Sequence, residues 1–168
     1  MELSDREIWA IVHGVVFGSL FLLGFSGLFL ALWGFRPAGL SPEGIASRAG
    51  KLVAGAWGMA AVAWLAVLSG TWMIFPWYMG SGGVAEELLG DPKRSSWHSF
   101  GMEWKAHIAW FAPILATAVA ICISHFREEL AEHDSMRHTL AWMLAAAFAC
   151  AGVAGLLGAL ITRVVPIR

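Results

Sequence analysis

Four apolar runs, each long enough to cross a bilayer, leave this chain little choice of fold. They cover about residues 8–34, 52–78, 104–126 and 138–165. A helix needs about 20 apolar residues to traverse a hydrocarbon core. Backbone amides inside lipid must be bonded within the chain, so such runs read as helices rather than open strands. Charged residues are 14% of the sequence, against roughly 25% in soluble domains, and they gather between the runs. The expectation is an all-α membrane protein, a single four-transmembrane-helix bundle over residues 1–168, with the lipid bilayer as its first partner. A net charge of −1 gives no electrostatic basis for binding nucleic acid.

Along the chain, Trp9 and Trp33 bracket the first run, as interface-seeking indoles do. Gly14, Gly18, Gly24 and Gly27 punctuate it and allow close approach of a helix or a flat cofactor. Pro37 and Pro42 mark residues 36–51 as a loop. Trp57, Trp64 and Trp72 share one face of the second run, which reads as a packing stripe. The connection from Met79 to about Glu103 is the longest and carries an amphipathic piece, Val84 to Leu89, able to fold back over one end. Pro113 withdraws the amide that would bond to Ala109 and predicts a kink. The charged segment from Arg127 to Arg137 reads as a solvated connection. Gly152, Gly155 and Gly158 predict a close-packed side on the fourth run.

Cys122 and Cys150 lie inside spans and behave as small hydrophobes, not as a disulfide framework. The acidic start and the length of the first run read as a span rather than a cleaved leader. An even number of spans puts both termini on one side together with the long connection. Lys and Arg divide six to five between the sides, so the positive-inside rule does not choose an orientation. A multi-pass protein of a bacterial cytoplasmic membrane is the expected location.

The chemistry is carried by histidines. His13 lies about five residues inside the first span and His107 about three inside the third. These spans run in the same direction, so the two rings enter from one side and differ in depth by only a few Å at about 1.5 Å per residue. Intramembrane ionisable groups are candidate functional sites, and two neutral imidazoles at matched depth are what a six-coordinate haem b requires. Gly14 beside His13 leaves room for a macrocycle; Arg6, Lys105 and Arg94 are cations able to meet propionates. His98 and Met102, four apart, form a second ligand set if the third span starts early. His125 and His138 form a third at the far side. A quinone is expected, if at all, near Trp77, Tyr78 and Glu103.

Four membrane helices with inward histidines near one surface resemble bacterial membrane-anchored b-type cytochromes, with His13 and His107 at the matching positions. The resemblance is architectural. It implies electron transfer between a quinone pool or a c-type cytochrome and other membrane redox subunits, as part of a respiratory or photosynthetic complex. The chain departs from di-haem members in carrying no histidine in its second span. Two alternatives stand beside this reading: a cofactor-free accessory subunit of a larger membrane complex, and a chlorophyll-type pigment-binding subunit. No Gly-x-Ser-x-Gly, His-Glu-x-x-His or P-loop pattern points to hydrolysis or group transfer.

Overall fold

Every regular element among the residues described, 3 to 165 of the computed structural model, is helical. Four long helices carry the apolar runs: α1 (Asp5–Trp33), α2 (Pro42–Met79), α4 (Trp97–His125) and α5 (Asp134–Val164). The short α3 (Val84–Leu89) lies between α2 and α4. Each long helix has the length and hydropathy to cross a membrane.

The starts of these helices are set by local chemistry rather than by the apolar runs. Ser4 and Glu7 form a capping box at α1, with Glu7 Oε2 accepting from the Ser4 amide at 2.8 Å. Ser41 caps α2 by accepting from the Gly44 amide at 3.2 Å, and Pro42 takes the first helical position. A missing amide costs nothing there. The loop expected over residues 36–51 is therefore shorter, and Arg48 and Lys51 ride on a helical extension. The reason is that a proline behind a serine opens a helix instead of breaking one. Helix α4 likewise starts at Trp97, not near Trp104. It is interrupted at Ala109–Trp110, four and three residues before Pro113, where the expected kink falls.

The helices pack as a closed ring, α1 on α2, α2 on α4, α4 on α5 and α5 on α1, so α1 and α4 stand at opposite corners. Alanines such as Ala56, Ala60, Ala63, Ala116, Ala120 and Ala147 fill much of the core and let backbones approach. Two of the three stripe tryptophans join α2 to α4. Trp57 Nε1 donates to Ser124 Oγ and Trp64 Nε1 to Thr117 Oγ1, both at 3.0 Å. Both pairs keep one antiparallel register, seven residues down one helix and seven up the other. Trp72 is exposed on the outside. Of the three glycines on α5, only Gly158 is in close contact; a Cβ at Gly152 or Gly155 would meet nothing within 4 Å.

Two caps close the ends. Tyr78, Ala85, Leu88, Met102 and Ile161 form a small second core where α3 folds back, as its amphipathic pattern predicted. At the other end Arg137 is 1% exposed, not solvated. Its Nη1 donates to the carbonyls of Leu130 and Ala131 and its Nη2 to the Asp134 carboxylate. A rigid five-donor fork suits this, because the turn Glu129–Ala131 leaves carbonyls that need donors.

Candidate functional site: the histidine end of the bundle

Three segments wind as π-helix: Ile11–Phe17 in α1, Gly70–Ile74 in α2 and Trp97–Met102 in α4. All three lie at one end of the bundle, because α1 and α4 begin there and α2 ends there. π-helix makes up well under 1% of residues in globular proteins; it occurs mostly as single-turn bulges in α-helices, frequently at functional sites. Pro76 is a local cause of the second, since it has no amide for the Trp72 carbonyl. The first carries His13 and the third His98.

His13 turns to α2. Its Nδ1 lies 2.7 Å from the Ala66 carbonyl and 3.1 Å from Ser69 Oγ. A carbonyl only accepts, so Nδ1 carries the proton and Nε2 keeps the lone pair. The ring rests on Gly70, where a Cβ would stand 2.7 Å from Cε1 and 3.3 Å from Nε2. The backbone of α2 therefore closes over this histidine. His13 is a clamp between α1 and α2.

His107 turns the other way. Its Nδ1 donates to the Glu103 carbonyl at 2.7 Å, which again leaves Nε2 as the lone-pair nitrogen. The Glu103 carboxylate is 3.9 Å from the same Nδ1. The side chain is 79% exposed on the outside of α4. It sits in a stripe of exposed aromatic residues at helical spacing: Phe100 (60%), Trp104 (55%) and Phe111 (55%).

The structure thus brings His13 and His107 to the same end but not to a common gap, since one ring faces α2 and the other faces outward. That both histidines lie toward one end was readable from sequence. Direction was not, because a π-turn shifts the phase of every residue beyond it and the neighbour order is a tertiary property.

Gly14 is exposed, and a Cβ there would meet nothing within 4 Å. Arg6 is exposed near the start of α1. Lys105 turns toward α5: its stem packs on Gly158, whose Cβ would lie 2.9 Å from Lys105 Cε. It does not share the face of His107. Arg94 is engaged by Asp91 and Glu87 at 2.7 and 3.2 Å. His98 does not face Met102 as a co-ligand; its Nδ1 is 2.8 Å from the Tyr78 hydroxyl, while Met102 is buried in the small second core. This tyrosine–histidine pair has no sequence signature, because its members lie twenty residues apart across the long connection. His125 packs edge-on against Phe126, and His138 stacks on Trp33 at 4.1 Å, so these two have different partners.

Among the described residues no three His, Cys, Asp or Glu side chains converge to cage a bare metal ion. A macrocycle-borne metal needs only one or two protein donors. Comparison with protein-family models, curated proteins and solved structures returns no match. The fold and composition define a multi-pass, all-α membrane protein.

Proposed function

We propose that the protein is an integral-membrane electron-transfer subunit that binds a b-type haem on the outer face of α4 through His107 Nε2. The observation that carries this reading is the His107 ring itself. Its Nδ1 is pinned to the Glu103 carbonyl at 2.7 Å and its Nε2 is bare among exposed aromatic rings. A backbone carbonyl on Nδ1 is the usual outer-shell partner of a metal-bound histidine; it fixes the tautomer and raises the basicity of the free nitrogen. Phe100, Trp104 and Phe111 offer apolar surface for a flat macrocycle and shield it from water. His107 would supply one protein donor; His13 is held to α2 through its Nδ1 and would not meet the same group from its side of the bundle. A haem iron would contribute a reversible one-electron couple, with the chain setting its potential through ligand, burial and local polarity. A second donor would have to come from a neighbouring redox subunit.

A second reading is favoured by a specific observation. His13 Nδ1 is held without a metal, by the Ala66 carbonyl and Ser69 Oγ. With His107 left as an interfacial ring, the chain is a cofactor-free accessory subunit whose aromatic faces dock other helices. The reduced-minus-oxidised visible spectrum of protein extracted in mild detergent separates the two. An α-band in the b-type region supports the haem. A blank spectrum with stoichiometric partner subunits supports the accessory role, and red chlorophyll-type bands would point to a pigment instead.

A further inference from the structure

A groove of about 700 Å³ runs between α1 and α2 at the end opposite His13, open to the outside of the bundle. Gly24 and Gly27 line it from α1, and Gly55 and Gly58 from α2. A Cβ at Gly27 or Gly58 would meet no protein atom within 4 Å, so the missing side chains leave room for something other than the neighbouring helix. At its mouth stand Arg48 and Lys51. Both are exposed, and neither has an acidic partner within 4 Å among the described residues.

We infer that this groove holds an anionic phospholipid, one acyl chain lying along the glycines and the phosphate meeting Arg48 and Lys51. Length and charge both argue for it. The α2 wall from Arg48 to Val62 runs fourteen residue steps, about 21 Å at 1.5 Å per residue. Half of a bilayer with its headgroup region measures about 20–22 Å. The groove is therefore one leaflet deep, with its two cations at the headgroup end and apolar walls below. A packed helix would need contact along the glycines and would leave both charges unmatched; a phosphate above a hydrocarbon chain matches each part. Basic residues next to a span attract anionic lipid.

Native mass spectrometry of the whole protein, released from micelles holding equal phosphatidylglycerol and phosphatidylcholine, tests this. Wild type should retain phosphatidylglycerol over phosphatidylcholine by about thirtyfold, the preference two headgroup-level cations supply at about 1 kcal/mol each. Arg48→Gln with Lys51→Gln should abolish that preference and leave total lipid retained. Gly58→Leu, whose Cβ would meet no protein atom within 4 Å, puts an isobutyl group into the groove and should reduce both lipids. Excess inorganic phosphate should not displace the phosphatidylglycerol. Equal retention of the two lipids by wild type, an unchanged preference in the double variant, or displacement by inorganic phosphate would each overturn the proposal. So would a dimer that Gly58→Leu converts to monomer without loss of lipid, since the groove would then hold a second copy.

Discussion

His13 and Gly70 are fitted to each other: a methyl group on Gly70 would lie 2.7 Å from the imidazole Cε1, closer than real contacts allow. The glycine leaves the space that the ring fills, and the ring's Nδ1 then reaches the Ala66 carbonyl. Gly70→Ala should therefore destabilise the bundle by about 1–3 kcal/mol, the usual cost of overpacking. Combined with His13→Ala, the cost should be less than additive, because the second change vacates the space. Unfolding in mixed detergent, measured as a double-mutant cycle, reads the coupling; strict additivity would refute the fit.

The α2–α4 seam should respond to loss of its hydroxyls. Thr117→Val removes the acceptor for Trp64 Nε1, held at 3.0 Å. Interhelical hydrogen bonds in membranes average about 0.6 kcal/mol and reach about 1.7. The variant is expected in that range, and Trp64→Phe should add little once Thr117 is gone. The same detergent unfolding assay checks both.

Arg137 closes the far end. Arg137→Met leaves the Leu130 and Ala131 carbonyls and the Asp134 carboxylate without their donor. The Asp134 carboxylate is 72% exposed and regains water, so the cost falls on the two carbonyls, about 1–3 kcal/mol. Arg137→Lys should restore only part of this, since an ammonium does not fork to several acceptors at once. Hydrogen exchange should rise first across residues 127–134; uniform exchange throughout the chain would argue against a local clamp.

The long connection should be acid-sensitive. The Arg94 guanidinium, with Nε 2.7 Å from Asp91 Oδ2, and the Lys93 amide at 2.9 Å hold the Asp91 carboxyl below the usual carboxylate range. A carboxyl lowered in the folded state contributes stability that is present above its ordinary value of about 3.9 and is lost as pH falls through the lowered one. Limited proteolysis between Asp91 and Ser95 with an acid-tolerant protease should therefore accelerate only at strongly acidic pH. Asp91→Asn should show the faster cleavage at every pH. An acid-induced step retained in Asp91→Asn would assign the sensitivity elsewhere.

The span count and fold class were legible because hydrocarbon length and backbone bonding constrain a chain this apolar, and Pro113 declared its kink by chemistry local to one residue. What was hidden depends on phase and partnership. Pro42 looks like a loop residue until Ser41 is seen as its cap. Lys105 and Arg137 read as boundary or loop charges, yet one stem packs on Gly158 and the other guanidinium is buried under a turn. His13 and His107 were rightly placed at one end, but the widened turns at Ile11–Phe17 and Trp97–Met102 rotate whatever follows them, and no periodicity in the sequence marks a π-turn.

The most direct test is the haem content and reduced spectrum of His107→Ala beside His13→Asn, each purified after expression with haem supplied. His107→Ala should lose the b-type band and regain it with added imidazole, while His13→Asn should keep the wild-type spectrum at reduced stability. A colourless wild type, or a His107→Ala protein with full haem and an unchanged band, would contradict haem ligation by His107.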